Sequence, residues 1–366
     1  MRTRFQAVLA AFVLGTAAVG LAACGATSSD TSKSASGGSS GNDSAAKAGK
    51  TVVIATHDSW AVPKAVLAEF TKETGITVKT QQHGDAGELT NKLVLTKDHP
   101  LADAVYGIDN TFASRAVGAG ILAEYAGKQP ASAAQFALDG DAAHFLTPID
   151  YGDVCVNIDD TWFAKHKVAP PKTFDDLAKP TYKNLLVTEG ATTSSPGLAF
   201  LAATIGTYGD GWKDYWKKLV ANGAKIDAGW EDAYTVDFTA GGGKGDRPIV
   251  VSYSSSPPFT VPKGGTTPTT SALLDTCFRQ VEYAGVLKGA ANPKGAEEFI
   301  DFMQGHDFQA AMPENMYVYP VDTSVALPPD WAKWAPTSPD PVQVPADDIT
   351  EHRTEWLRDW RDITSR

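Results

Sequence analysis

The chain has 366 residues, 43% apolar and 20% charged, an ordinary globular composition long enough for two domains. Its formal charge is −11, with no Lys/Arg-rich run to match a phosphate backbone, which excludes a nucleic-acid partner and leaves an acidic surface suited to a small cation. The three cysteines form no C-x-x-C pair and the seven histidines no H-E-x-x-H, so a structural zinc and metalloprotease chemistry are excluded as well.

Arg2 and Arg4 precede an uncharged, mostly apolar run that ends in small residues at Ala23, the pattern of a secretory signal peptide over residues 1–23. Leu21-Ala22-Ala23-Cys24 resembles the lipobox of bacterial lipoproteins, in which the cysteine is acylated. The plainer alternative is an ordinary cleavage site before a cysteine. Residues 24–50 are Ser, Gly, Ala, Thr, Asp, Asn and Lys without one large apolar side chain, a flexible tether behind the lipidated Cys24. Gly37-Gly38-Ser39-Ser40-Gly41 matches a hydrolase elbow in letters only, since it lies within that tether.

From Thr51 onward short apolar strands alternate with amphipathic helices. Strands are expected at residues 52–55, 76–79, 101–108, 152–158, 184–188, 249–253 and 277–286. Helices are expected at 62–74, 88–95, 111–119, from 173, 196–208, 212–222, 293–305, 308–312 and 347–362. The pattern reads as a two-lobed α/β body, with candidate crossover strands near 150–158 and 270–283. Cys155 and Cys277 lie one in each crossover strand. Once Cys24 is acylated, they are the only thiols left outside the cell, and a disulfide is the economical reading; two buried free thiols are the alternative.

Thr192-Thr193-Ser194-Ser195-Pro196-Gly197 lies between a strand and a helix, where hydroxyls and free N–H groups favour an anion; a simple helix cap accounts for it equally. Ser252-Tyr253-Ser254-Ser255-Ser256-Pro257-Pro258 follows a strand, at the carboxyl end where α/β proteins gather ligands, or is a polar turn. Trp230, between Gly229 and the acids Glu231 and Asp232, suits stacking on a cationic ring, or core packing with Tyr234. Asp58, Asp85 and Asp109 stand at strand ends or before helices, each a plausible cap and together an acidic rim. Tyr317 and Tyr319 precede Pro320 in what reads as a short extended segment, where packing is the default. No serine has a placed histidine and acid partner, and Gly241-Gly242-Gly243-Lys244-Gly245 lacks the Walker spacing, so catalysis has no positive feature.

His57-Asp58-Ser59-Trp60, Gly107-Ile108-Asp109-Asn110, Asp150-Tyr151-Gly152, Thr193-Ser194-Ser195-Pro196-Gly197-Leu198, Gly229-Trp230-Glu231-Asp232-Ala233-Tyr234 and Ser252-Tyr253-Ser254-Ser255-Ser256-Pro257 follow in order. With Tyr319-Pro320-Val321 and Trp356-Leu357-Arg358-Asp359-Trp360, this series resembles the thiamine-binding receptors of bacterial ABC importers across residues 51–366. The chain departs from that pattern at His57, Phe259 and Tyr317.

The resemblance implies a bilobal type II periplasmic-binding fold with thiamine, its monophosphate or its diphosphate held between the lobes, and no catalytic cofactor. Lobe 1 would comprise about 51–154 and 271–321, lobe 2 about 155–270, and a helical segment 322–366 would close the chain. Asp85 with Ala86 would hold the ring system, Ser194 with Ser195 the hydroxyethyl or phosphate end, and Trp230 would stack on the ligand. Tyr253, Ser254, Ser255, Ser256 and Pro257 would line the second wall, with His57, Asp109 and Tyr317 also at the ligand. It further implies a monomer, lipid-anchored on the outer face of the cell membrane, that delivers its ligand to permease subunits. The alternatives are a receptor for another small cation or phosphorylated solute, such as a polyamine, and a secreted hydrolase.

Overall fold

The structure, a computed structural model, describes residues 49–365. The signal peptide, Cys24 and most of the tether lie outside the described residues. The strands are β1 (Thr51–Thr56), β2 (Thr77–Gln82), β3 (Ala104–Asp109), β4 (Thr147–Asp159), β5 (Leu186–Glu189), β6 (Lys225–Asp227), β7 (Ile249–Tyr253), β8 (Thr270–Val286) and β9 (Tyr319–Pro320). The helices are α1 (Lys64–Thr74), α2 (Ala86–Leu95), α3 (Ala113–Gly118), α4 (Asp160–His166), α5 (Phe174–Leu177), α6 (Ser195–Tyr208), α7 (Trp212–Ala221), α8 (Pro293–Met303), α9 (His306–Met316), α10 (Trp331–Trp334) and α11 (Ala346–Thr364).

The strands pair in the order β2-β1-β3-β8-β4-β7-β5-β6, with β9 also on β4. In one half β1 runs parallel to β2 and β3, as helical crossovers require, and in the other β5 runs parallel to β6 and β7. Two long antiparallel strands join the halves. β8 meets β3 through residues 282–286, β4 meets β7 through residues 154–158, and the two pair with each other over almost their whole length. This is the two-lobed α/β architecture expected from the sequence, and the crossover strands are β4 and β8. Both are longer than the apolar runs suggested, because β4 begins at Thr147 and β8 at Thr270 with residues of mixed polarity.

Period-two alternation divides β1 between two layers. Val52 and Ile54 pack in a cluster with Phe70 of α1 and with Phe299, Ile300 and Met303 of α8. Ala55 points the other way, into the cluster of Leu89 from α2 and Val105 from β3. Phe70 and Phe299 meet edge to face at 5.1 Å. In the β5–β7 half, α6 is sheltered along almost its whole length, while α7 presents Trp212, Tyr215, Trp216 and Leu219 inward. The fully buried Trp216 donates Nε1–H to Thr204 Oγ1 at 2.9 Å and meets Trp360 of α11 edge to face at 5.6 Å. An ion pair between Lys213 and Asp359 flanks that contact, so the last helix packs on the β5–β7 half, and its Arg353 also reaches the other half, donating Nε–H to Thr111 O at 3.1 Å.

Helix starts follow local chemistry. The Asn292 side chain accepts from Gly295 N at 3.0 Å ahead of α8, with Pro293 in its first turn. Thr173 and Asp176 form a reciprocal capping box at α5. Tyr317, expected in an extended segment, instead ends α9 in the left-handed region at φ 54°, and only Tyr319–Pro320 is extended.

The β4–β8 ladder shifts register between Val154 and Val156, where Val154 faces Phe278 and Val156 faces Leu273. Cys155 and Cys277 are joined by a disulfide at this break, linking residues 122 apart in sequence. Closing so long a loop removes freedom from the unfolded chain worth about 4 to 5 kcal/mol in the chain-entropy account. Replacing both cysteines with serine is expected to lower unfolding stability by about 2 to 5 kcal/mol. Urea unfolding of the two proteins under non-reducing conditions measures the difference.

Candidate functional site

The candidate site is taken where the two halves of the sheet meet around Asp85, which hydrogen-bonds to both. Asp85 caps α2, and its Oδ1 accepts from Ala86 N at 2.6 Å. The same oxygen accepts from Ser195 N at 3.2 Å, at the start of α6, and Oδ2 accepts from Trp230 N at 2.9 Å. One carboxylate thus ties the β1–β3 half to two backbone donors of the β5–β7 half. Glu88 N donates to Thr193 O at 3.0 Å beside it. Gly87 permits this approach, since a Cβ there would fall 2.6 Å from the Thr193 carbonyl carbon.

Around this bridge the structure gathers Ala86, Ser194, Ser195 and Trp230. Ser194 is the cap of α6, accepting from Gly197 N at 3.3 Å, while the buried Ser195 Oγ has no protein partner. Trp230 is half-buried; Tyr234 stacks on it at 4.8 Å and 12°, and its Nε1–H donates to Ser252 Oγ at 2.9 Å. Ser252 Oγ lies 2.8 Å from Ser256 Oγ. The anion position foreseen at the start of α6 is therefore filled from within by the Asp85 carboxylate. Helix N–H groups favour any negative charge, and Asp85 is the one within reach.

Asp58, Asp85 and Glu88 approach from one half, Glu231 and Asp232 from the other. Burial and the neighbouring Asp85 raise the Asp58 carboxyl above its ordinary range, and burial with Asp58 does the same to Glu231 and Glu88.

A second group lies on the crossover strands. His57 Nε2 is 3.5 Å from Glu282 Oε2, both side chains being more than nine-tenths buried. Burial, the largest single influence, pulls the imidazole pKa down, but Glu282 together with Asp85 and Asp58 outweighs it and the net shift is upward. Tyr106 Oη lies 2.7 Å from Asp150 Oδ2 and 2.8 Å from Glu282 Oε2. A phenol has one hydrogen, so for both contacts to be hydrogen bonds one of these carboxyls carries a proton. Burial and the adjacent Glu282 push Asp150 well above its usual value, whereas His57 and Tyr106 overcome burial to hold Glu282 below its own. Of the two carboxyls, Asp150 is the one whose surroundings favour the neutral form and Glu282 the one whose surroundings favour the charge. Gln280 Nε2 donates to Glu282 Oε1 at 3.1 Å, and Tyr253 donates to Gln280 Oε1 at 2.8 Å. His57 and Tyr253, one from each half, are joined through two β8 side chains. The Tyr253 ring lies over Gly152, where a Cβ would come within 2.7 Å of it.

The remaining expected site residues are placed as follows. Ser255 donates its hydroxyl to Tyr317 O, and Tyr317 meets Phe259 edge to face at 5.6 Å. Ser254 N donates to Asp153 O at 2.8 Å, and the buried Pro257 opens a 3-10 turn whose Phe259 is exposed. Asp109 works as a cap: Oδ1 accepts from Thr111 N, Thr111 Oγ1 and Phe112 N at 2.7 to 2.9 Å. Burial raises its pKa to about 7. Sequence reasoning did not single out Tyr106, Glu189, Gln280 or Glu282. The available signal was a polar residue inside an apolar strand, as in Val281-Glu282-Tyr283-Ala284.

Residues 99–339 match the model of the family described as bacterial extracellular solute-binding protein. The chain belongs to this family. It is therefore a binding protein rather than a catalyst, and works outside the cytoplasm. The solute-binding protein is 29% identical to a thiamine-binding periplasmic protein of Brucella suis biovar 1 over 88% of its own length and 94% of the relative's. It is 27% identical to the protein of the same name from Salmonella typhimurium, over 86% and 94%. Among solved structures it resembles a periplasmic thiamin binding protein with TM-score 0.75 and 25% identity, covering 86% of this chain and 96% of that one. The fold also matches, at 16% identity and TM-score 0.71, the binding protein AfuA from Actinobacillus pleuropneumoniae, over 87% and 99% of the two chains.

The His57–Glu282 pair gives a pH signature. With the His57 pKa raised above 6.5, its stabilising charge is fully present below that value and is lost as pH rises through the folded-state pKa. Melting temperature is expected to fall across that window. The His57→Gln variant should flatten this fall, as thermal melts at closely spaced pH values will measure.

Proposed function

We propose that this solute-binding protein is the thiamine receptor of an ABC importer, taking the vitamin between its two lobes and handing it to permease subunits. The observation that carries the reading is the similarity to thiamine-binding periplasmic proteins along nearly the whole chain. The site chemistry agrees with it. Thiamine bears a permanent cation on a flat ring, and the cleft offers a half-buried Trp230 beside Glu231, Asp58 and Asp85. Ala86, Ser194, Ser195 and Tyr253 to Pro257 complete the walls, with His57, Asp109 and Tyr317 nearby.

The type II strand arrangement belongs to this reading and is supported by β8 lying between β3 and β4. Lobe 1 is assigned to residues 51–154 and 271–321 and lobe 2 to 155–270, with 322–366 as the closing helical segment. The chain works as a monomer, anchored through acylated Cys24 with residues 24–50 as the tether.

The test is calorimetric titration of the purified protein, freed of ligand by unfolding and refolding with its disulfide intact. One-to-one, submicromolar binding of thiamine is expected. Trp230→Ala should weaken it by about 2 kcal/mol, roughly thirtyfold, if the indole stacks on a desolvated cation. Unchanged affinity would assign Trp230 to packing against Tyr234 alone.

A further inference from the structure

Besides β4 and β8, the chain passes between the halves once more. From β9, paired with β4, it runs to α11, which packs on the β5–β7 half through Trp360 on Trp216 and Asp359 on Lys213. On the way Ser338 N donates to Asp153 Oδ2 and Val342 N to Cys277 O, each at 2.7 Å, so the connecting segment lies along the crossover strands. One side chain of α11 then reaches back. Arg353 donates Nε–H to Thr111 O at 3.1 Å, and its guanidinium carbon lies 4.5 Å from the centre of the Phe112 ring. Thr111 and Phe112 form the turn between β3 and α3, in the β1–β3 half.

Arg353 is only 9% exposed, and among the described residues no carboxylate forms an ion pair with it. Burial lowers its pKa to about 10, with Asp109 favouring the charge and Arg115 opposing it, so the side chain is a cation at neutral pH. Taking a cation out of water without a carboxylate is costly, and what offsets that cost here is a carbonyl and a ring face that belong to the other half. The receiving turn is firmly held. Asp109 Oδ1 accepts from Thr111 N and Phe112 N, and Asn110 is tied to β8 by Asn110 N on Val281 O and Val281 N on Asn110 Oδ1, both at 3.1 Å. Phe112 carries the contact onward. A Cβ on Gly87 would fall 2.8 Å from its Cζ and 2.6 Å from the Thr193 carbonyl carbon, so the ring under Arg353 abuts the point of α2 where the two halves touch.

We propose that Arg353 is a closure latch: a cation carried by the last helix on one half that grips the turn after β3 in the other, and so holds the two halves together over a bound solute. It lies outside the residues assigned to the ligand and acts through Thr111 and Phe112, as a positioning residue. When the halves part, Arg353 exchanges the carbonyl and the ring for water; when they close, it regains both. The inference deepens the thiamine reading and rests on it for the choice of probe.

The experiment follows thiamine association and dissociation by stopped-flow tryptophan fluorescence on the purified, ligand-free protein. Arg353→Met keeps an apolar stem and removes the guanidinium. It is expected to speed dissociation about fivefold and to change association less than about twofold. Arg353→Lys, which leaves a cation for the face of Phe112, should fall between the variant and the wild type. A dissociation rate in Arg353→Met equal to that of the wild type overturns the latch, even if the melting temperature falls, because loss of helix packing alone would lower stability without releasing the ligand faster. If Arg353→Met does not fold, Arg353→Lys decides by the same rates, faster dissociation supporting the latch and an unchanged rate overturning it. If folded wild-type protein does not bind thiamine, the thiamine reading falls, and small-angle scattering tests the latch by itself. The ligand-free variant should then show a larger radius of gyration than the wild type, and equal radii overturn the proposal.

Discussion

Everything in the molecule hangs on the antiparallel pair β4 and β8, because these strands are the shared backbone of both halves of the sheet. Neither half has a complete sheet without them: β8 supplies the neighbour of β3, and β4 the neighbour of β7. A regular ladder would make the pair a stiff plank. Register shifts interrupt it between Pro148 and Asp150 and again between Val154 and Val156, and each break removes hydrogen bonds where relative rotation of the halves needs compliance. The disulfide at the second break keeps the strands together where the ladder no longer does.

The stretch between the breaks also carries the buried polar group of Asp150, Glu282, Gln280, Tyr106, His57 and Tyr253. Burying such groups costs several kcal/mol per unpaired charge, so each must be neutral or paired. Surroundings that favour a neutral Asp150 and a charged His57 beside Glu282 leave one charge pair, with Tyr106 and Gln280 as hydrogen-bond partners of the Glu282 carboxylate. The group spans from a loop of one half, through the crossover strand, to a strand end of the other. Rotation of the halves would therefore change the distances within it and within the Asp85 bridge, which lies close enough for Asp85 to act on both His57 and Tyr253.

The strands and helices were legible because their cause is local. Residues 249–253 read as a strand from β-branched repetition, and α6 and α7 from their first-turn proline and inward aromatic face. The full lengths of β4 and β8 were not, because their ends are held by partners distant in sequence rather than by apolar runs. The site was half legible. The hydroxyl runs and Trp230 stood out, and so did Asp85 as a cap, but that its carboxylate would reach Ser195 and Trp230 depends on contacts more than a hundred residues away. Glu282 and Glu189 were hidden for the same reason: a lone acid in a strand reads as an exposed face until its burial is known.

The placement of α11 has a kinetic side. Helix α7, in the middle of the chain, is covered by α11, where Trp360 meets Trp216 and Asp359 pairs with Lys213, while the β1–β3 half waits for β8, α8 and α9. The β5–β7 half is thus completed only by the last helix, whereas the strands and helices named for the β1–β3 half are complete by Met316. The face of Trp216 that meets Trp360 stays uncovered until those last residues have been made, which makes the β5–β7 half the later of the two to close.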